Sequence, residues 1–138
     1  MSLCLTIMVV IIVDMTKIAI IEDDPVIRQM YLMKFEAAGF DVSVAENGKD
    51  GVALVEQTNP DVILLDISMP VMNGDEALAK IRAQDSGKNI PVLILTNLGE
   101  EEAPKSLHKL NISSYIVKAD LTPRQVVDRV QKVIDRQN

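Results

Sequence analysis

Five short apolar segments alternate along this chain with longer segments whose apolar residues recur at helical spacing. They cover residues 17–21, 41–45, 62–66, 91–96 and 114–118. The segment at 41–45 alternates apolar with polar residues, which is typical of a half-exposed edge strand, whereas the runs at 62–66 and 91–96 are too apolar to have a solvated face. Such strands indicate a parallel sheet covered by helices on both sides. Right-handed crossovers then favour an α/β fold with a doubly wound, five-stranded parallel sheet in the order 2-1-3-4-5.

The first helix has clear start and stop signals. Asp24 is its predicted N-cap, Pro25 is its first helical residue, and Gly39 supplies the left-handed residue that ends it. Its predicted apolar stripe consists of Ile27, Met30, Tyr31, Phe35 and Ala38.

The other helices are predicted at residues 49–57, 75–83, about 102–110 and from 123 onward. Asn73 is the predicted cap of the third helix. Pro104 falls in the first turn of the fourth, where its missing N–H does no harm. Thr122 and Gln125 match a capping box at the start of the last helix.

The composition limits the classes of function. A chain of 138 residues fits one domain, and its net charge of −6 argues against a general nucleic-acid binder, which would need a basic face. The single cysteine, Cys4, cannot form an internal disulfide, and no Cys/His spacing indicates zinc. His108, the only histidine, has no nucleophile motif nearby and is predicted to lie on a helix surface.

Residues 1–14 form an apolar leader ahead of the predicted domain, residues 15–138. Its apolar part, residues 3–13, is shorter than the span of about 20 residues that crosses a membrane, and it lacks the features of a signal peptide. One interpretation is a start position assigned too far upstream. The other is a β-branched segment that lies against a sheet edge or apolar groove; pairing with a neighbouring chain would give a homodimer. We expect no membrane contact and a cytoplasmic location.

Polar residues follow four of the predicted strands. Glu22 and Asp23 follow the first strand, Asp66 ends the third, Thr96 ends the fourth and Lys118 ends the fifth. In open α/β sheets the binding crevice lies outside the carboxyl ends of the strands, where the strand order reverses. We therefore expect these side chains to converge on one rim.

Each of these residue types has a chemical role. Glu22, Asp23 and Asp66 would repel one another unless a divalent cation lay among them, and Mg²⁺ suits carboxylates, water and a phosphoryl group. No glycine-rich phosphate loop follows any strand, so a permanently bound nucleotide is not expected. Thr96 can donate a hydrogen bond to a phosphoryl oxygen and Lys118 can pair with an anion. Asp66 is then the predicted carboxylate nucleophile.

Four separated stretches carry a resemblance to a known family: "IAIIEDD", "VILLDISMPVMNGDEAL", "PVLILT" and "SYIVKAD". Their order and spacing are similar to those of receiver domains of two-component response regulators, and the resemblance covers residues 15–137. It implies a flavodoxin-like fold and a stand-alone, chemotaxis-regulator-like receiver.

The resemblance implies a phosphorylation site with a metal. Carried over by position, Asp66 is the phosphoacceptor and also faces the Mg²⁺ ion. Asp23 is a direct ligand, Glu22 acts through metal-bound water, and Ser68 supplies its backbone carbonyl. Asp24 matches a more variable acid and receives no ligand role.

The resemblance also implies a switch. Thr96 would be the switch hydroxyl, Lys118 the phosphate-pairing lysine and Tyr115 the aromatic rotamer switch. Two departures stand close to these residues: Ala119 occupies a position that is usually proline, and Asn97 a position that is usually small. With Ala119 in place of proline, the family does not predict the shape of the loop after Lys118. Asn97 predicts a narrower path for the phosphodonor.

The implied partners are a histidine kinase or phosphotransfer protein and an unidentified downstream protein, with no direct contact to nucleic acid. Such a domain modifies itself and is not a conventional enzyme. One alternative is a pseudo-receiver that binds partners without phosphorylation, although none of the expected acids or the lysine is lost. Another is an aspartate-nucleophile phosphatase, which would need a second Asp where Ser68 stands.

Overall fold

The computed structural model describes residues 15–137. In that range strands alternate with helices. The strands are β1 (Lys17–Ile21), β2 (Asp41–Ala45), β3 (Val62–Leu65), β4 (Val92–Thr96) and β5 (Ser114–Val117). The α-helices are α1 (Pro25–Ala37), α2 (Gly48–Thr58), α3 (Gly74–Ala83) and α4 (Pro123–Gln137). Short 3₁₀ helices cover Asp85–Gly87, Glu100–Glu102, Lys105–Leu110 and Lys118–Asp120.

The five strands form one parallel sheet in the order β2-β1-β3-β4-β5, which confirms the predicted fold. All residues of β3 and β4 are buried. The edge strand β2 is mostly half-buried, as its alternating sequence predicts. The strand order reverses between β1 and β3, so their carboxyl ends flank a crevice.

Two apolar cores lie on opposite faces of the sheet, because successive strand residues point to opposite sides. On one face, Ile18 and Ile20 of β1 belong to a core with Phe35 of α1 and Val130 of α4. On the other face, Ala19 and Ile21 belong to a core that includes Val55 of α2 and Ile81 of α3. Helices therefore cover both faces of the sheet.

The predicted caps of the first and last helices are confirmed. The Asp24 carboxylate accepts hydrogen bonds from the N–H groups of Val26 and Ile27, at 2.9 and 3.0 Å. Thr122 and Gln125 form the reciprocal capping box, with distances of 2.8 and 3.2 Å. Asn73 stands at the N-cap of α3, but its side chain makes no capping hydrogen bond.

The apolar stripe of α1 was predicted only in part. Tyr31 and Phe35 are buried and Met30 is half-buried, but Ala38 is exposed at the C-cap of the helix. Gly39 follows with φ +94°, the left-handed conformation expected there. Helix α1 therefore buries a narrower face than its sequence indicates.

The prediction of a helix at about residues 102–110 is wrong. The segment instead contains two 3₁₀ helices, Glu100–Glu102 and Lys105–Leu110. Ala103 between them has an extended backbone (φ −68°, ψ 149°), because a residue before proline is disfavoured in the helical region. Pro104 thus separates two short helices and does not lie in the first turn of one long helix.

No helix among residues 15–137 is long and apolar enough to cross a membrane. The leader, and with it the predictions of an upstream start or of pairing through residues 3–13, lies outside the described residues.

Candidate functional site

Asp66 stands immediately after β3, at the carboxyl end of the strand. Its backbone N–H donates to the carbonyl of Ile21 (3.0 Å), which aligns it with the end of β1. Its side chain is buried, and Oδ1 accepts a hydrogen bond from the Ser68 N–H at 3.3 Å. The loop that follows returns close to Asp66, since a Cβ atom on Gly74 would collide with the Asp66 carbonyl. Glycine at this position lets the start of α3 approach the backbone of Asp66 and Ile67.

Glu22 and Asp23 follow β1 on the neighbouring side of the crevice. The Glu22 N–H continues the sheet by donating to the Ala45 carbonyl at 3.0 Å. The Arg28 guanidinium on α1 donates to the carbonyls of Glu22 (2.9 Å) and Asp23 (3.2 Å) and so fixes the loop between β1 and α1. Arg28 gave no signal in the sequence, because its contacts are to backbone atoms.

Three carboxylates lie together at this crevice. Glu22, Asp23 and Asp66 each present an oxygen, and these oxygens all lie within 4.8 Å of one another. Glu22 and Asp66 are buried, while Asp23 is partly exposed. The sheet topology therefore brings together the acids that the sequence placed at the ends of β1 and β3.

Lys118 reaches the same carboxylates from the end of β5. Its Nζ donates to Glu22 Oε1 and Oε2, at 3.0 and 2.9 Å, and to Asp66 Oδ2 at 3.3 Å. The sequence predicted a partner at Asp66 but not the closer pairing with Glu22. Lys118 opens the 3₁₀ turn Lys118–Asp120, which contains Ala119.

Burial and charge shift the pKa values of this pair. Burial raises the pKa of Glu22 to about 7 and nearby Asp66 adds to the rise, although the Lys118 ammonium opposes it. Burial by itself would lower the pKa of Lys118, but hydrogen bonding to Glu22 and the charge of Asp66 raise it above its ordinary value. Lys118 therefore remains a cation near neutral pH, and Glu22 titrates there.

Thr96 and Tyr115 meet the same short loop after β4. Thr96 is buried, and its Oγ1 accepts a hydrogen bond from the Leu98 N–H at 3.4 Å. The Tyr115 hydroxyl donates to the Leu98 carbonyl at 2.9 Å and lies 3.3 Å from that of Gly99. Burial, followed by the charges of Glu100 and Glu102, raises the pKa of Tyr115. The two predicted switch residues are thus linked through the backbone of Leu98, which the sequence did not indicate.

A polar cavity of about 270 Å³ opens over Asp66. Six of the predicted site residues line it: Glu22, Asp23, Asp66, Ser68, Thr96 and Lys118. Asn97 also lines it, as its position next to Thr96 predicts. Tyr115 is not among the lining residues, and it contacts the loop through the carbonyls of Leu98 and Gly99. The cavity is lined by four acids, which include the α1 cap Asp24, and by one ammonium and one buried hydroxyl. This set is suited to a cation and a phosphoryl group.

Comparison with known proteins gives one consistent family. The pattern of the response regulator receiver domain matches residues 18–131. The chain is 36% identical over 121 residues to the transcriptional regulatory protein ResD of Bacillus subtilis, covering 88% of this chain and 49% of ResD. It is 40% identical over 87 residues to Protein PilH of Pseudomonas aeruginosa, covering 63% of this chain and 72% of PilH. For several curated relatives, the chain spans about half of the relative's length or less.

A solved structure agrees in fold. The chemotaxis response regulator CheY4 of Vibrio cholerae superposes with a TM-score of 0.79 and 30% sequence identity, covering 87% of this chain and 99% of CheY4. The family match at residues 18–131 includes every strand end that contributes to the cavity.

Proposed function

Because this chain belongs to the response regulator receiver domain family, we propose that it takes up a phosphoryl group on Asp66 in a two-component pathway. The observation that carries the proposal is the surroundings of Asp66. Its carboxylate is buried at the carboxyl end of β3, faces the Lys118 ammonium at 3.3 Å and lies with two further carboxylates. Burying a lone carboxylate would cost free energy, and here charged side chains surround it. This arrangement favours a site that binds charged groups.

The acidic cluster fits Mg²⁺. Its donors are carboxylate oxygens, which this hard cation prefers, and three acids face a single ammonium among the described contacts. Asp23 and Asp66 would hold the ion directly, with the Ser68 carbonyl, and Glu22 would act through a water molecule. Bound there, Mg²⁺ would neutralise charge on the oxygens of the transferring phosphoryl group.

In the proposed transfer, a carboxylate oxygen of Asp66 attacks the phosphorus of a phosphohistidine. The new O–P bond forms as the P–N bond of the donor breaks, and the imidazole nitrogen keeps the bonding electrons and takes a proton. Lys118 then pairs with the phosphoryl oxygens, and Thr96 donates its hydroxyl hydrogen to one of them. Water later attacks the phosphorus, the O–P bond to Asp66 breaks, and inorganic phosphate leaves the regenerated carboxylate. The chain modifies itself in this cycle and turns over no separate substrate.

The partners follow from this chemistry. The donor would be a histidine kinase or a phosphotransfer protein, and the receiver of the signal would be a protein that recognises the altered surface near Tyr115. We propose a cytoplasmic location, because a kinase takes its phosphoryl group from ATP.

The proposal is tested by intact-mass measurement after incubation with acetyl phosphate and Mg²⁺. We expect the mass of one phosphoryl group to be added to the native chain, and EDTA to prevent the addition. Asp66→Asn should abolish it, whereas Asp128→Asn, the same change at an exposed position on α4, should not.

Two outcomes would count against the proposal. Equal labelling of Asp66→Asn and the native chain would remove Asp66 as the acceptor. A native chain that accepts no phosphoryl group, from acetyl phosphate or from a phosphorylated histidine kinase, would indicate a pseudo-receiver.

A further inference from the structure

Helix α1 has an apolar stripe on its solvent side. Val26 is 77% exposed and Met33 is 61% exposed. Half-buried Met30, which also packs against the core beneath α1, lies between them at helical spacing. Together with Pro25, Gln29 and Lys34 these residues line an open groove of about 530 Å³. Single exposed apolar residues are ordinary, but three in a row along one helix form a surface that another apolar segment can cover. We define Val26, Met30 and Met33 as the α1 stripe.

The chain itself contains an apolar segment that needs such a surface. Residues 3–13, "LCLTIMVVIIV", include no charged residue, and Thr6 is their only hydroxyl-bearing side chain. Burial of such a segment against an apolar face removes apolar surface from water, which lowers the free energy.

The point where the leader joins the domain is close to α1. The carbonyl of Thr16 accepts a hydrogen bond from the Asp41 N–H at 2.9 Å, and Asp41 follows the end of α1 after a three-residue turn. The leader thus enters β1 beside the C-terminal end of α1, the end nearer to Met33. Met15 at this junction is itself 51% exposed.

The leader is long enough to cover the whole stripe. Val26 and Met33 are seven residues apart, which is about 10 Å along a helix. Eleven residues span roughly 16 Å as a helix and up to about 35 Å when extended. In either conformation, residues 3–13 are long enough to pass over all three side chains.

We propose that residues 3–13 bind the α1 stripe of the same chain. This inference does not depend on phosphorylation of Asp66, because the contact is between apolar groups outside the acidic cavity. The groove comes nearest to the acidic cavity at Pro25 and Val26, which follow the cavity residue Asp24 at the start of α1.

The single cysteine makes the test direct. A nitroxide spin label on Cys4 broadens nearby methyl signals, and ¹³C-methyl methionine reports on both sides of the domain. We expect the signals of Met30 and Met33 to lose more than half of their intensity relative to the reduced label. Met69 should keep most of its intensity, because it belongs to the core on the opposite face of the sheet.

A variant of the stripe separates this contact from others. Val26 and Met33 are exposed, so Val26→Glu with Met33→Glu should leave the fold intact while restoring the Met30 signal. Equal broadening of Met30 and Met69, or Met30 broadening that survives the double substitution, would overturn the proposal. The second result would place the leader elsewhere, such as at the β2 edge.

Mixing distinguishes binding within one chain from binding to a second copy. Spin-labelled chains without methyl labels are mixed with methyl-labelled Cys4→Ser chains. Met30 broadening in this mixture would overturn the proposal in favour of exchange between copies, and its absence would support binding within one chain. Phosphorylation of Asp66 is measured separately on the same samples, so failure of one inference leaves the other unaffected.

Discussion

Lys118 binds Glu22 more closely than it binds Asp66. Its Nζ lies 2.9 and 3.0 Å from the two Glu22 oxygens and 3.3 Å from Asp66 Oδ2. Both carboxylates are buried, so each charge has lost most of its hydration and depends on this ammonium. Lys118 therefore takes the place of a cation at the acidic cluster.

Removing the Lys118 charge should strengthen Mg²⁺ binding at high pH. At pH 9 Glu22 is ionised and Lys118 remains protonated, since the pKa of Glu22 is about 7 and that of Lys118 is raised. Lys118→Met then leaves the cluster one unit more negative. We expect Mg²⁺ affinity to rise roughly tenfold by calorimetric titration. At pH 7 the gain should shrink, because a proton on Glu22 replaces the lost ammonium.

The control for this prediction is Lys80→Met, the same change at an exposed lysine on α3. Its Mg²⁺ affinity should equal that of the native chain. Weaker Mg²⁺ binding by Lys118→Met at pH 9 would show that Lys118 organises the carboxylates more than it opposes the metal.

The raised pKa of Glu22 predicts a dependence of stability on pH. A carboxyl group whose pKa is higher in the folded than in the unfolded state favours folding while it is protonated. That contribution is complete below the ordinary value of 4.5 and is lost as pH rises through about 7. We therefore expect the free energy of unfolding to fall between pH 4 and pH 8 by about 1–3 kcal/mol less in Glu22→Gln than in the native chain. Urea unfolding in the presence of EDTA measures this difference.

Glu36→Gln is the matched control, because Glu36 is exposed on α1. It should follow the pH profile of the native chain. A Glu22→Gln profile that also matches the native one would mean that Lys118 fully compensates the burial of Glu22.

Two adjacent acids should have separable effects. Asp24→Ala removes the cap of α1, in which the carboxylate accepts two backbone hydrogen bonds, and should lower the free energy of unfolding by roughly 0.5–2 kcal/mol. Asp23→Ala should instead weaken Mg²⁺ binding, because Asp23 is part of the acidic cluster. Melting and Mg²⁺ titration of both variants decide the matter. Equal Mg²⁺ affinities would show that Asp23 is not the direct ligand.

Phosphorylation should act on the loop after β4. A new anion on Asp66 attracts the Thr96 hydroxyl, whose oxygen now accepts the Leu98 N–H, and this should disturb the hydrogen bond from Tyr115 to the Leu98 carbonyl. With Mg²⁺ and beryllofluoride, a mimic of the acyl phosphate, we expect amide shifts at Leu98, Gly99 and the 3₁₀ helix Lys105–Leu110.

Asp66→Asn should show none of these shifts. Tyr115→Phe should lower stability by about 0.5–1.5 kcal/mol and reduce the shift at Gly99, because the hydroxyl that joins β5 to the loop is gone. Shifts confined to the loop after Asp66 would leave the domain without the proposed output surface.

The fold and the position of the site could be predicted because they depend on patterns along the chain. The apolar runs of β3 and β4 require coverage on both faces, and the parallel order brings Glu22, Asp66 and Lys118 to one edge. The helix at about 102–110 was predicted wrongly because placing Pro104 in its first turn accounted for the missing N–H but not for the effect of proline on the backbone of Ala103. The Glu22–Lys118 pair depends on side-chain reach between residues 96 positions apart, which no local pattern encodes.

Arg82 makes another set of contacts that the sequence did not reveal. From α3 its guanidinium donates to four backbone carbonyls, those of Gly87, Ile90, Leu110 and Asn111, at 2.8–3.0 Å. It thereby joins the end of α3 to the segments that precede β4 and β5. Removing it leaves partly buried carbonyls unpaired, so Arg82→Met should lower the free energy of unfolding by about 2–4 kcal/mol.

Arg82→Lys tests whether geometry or charge is responsible. A lysine keeps the charge but cannot reproduce the fork that reaches four carbonyls, so it should recover less than half of the loss. Arg124→Met, at an exposed position on α4, should stay within about 0.5 kcal/mol of the native chain. Full recovery by lysine in urea unfolding would show that the positive charge alone matters there, and that the links to β4 and β5 contribute little to stability.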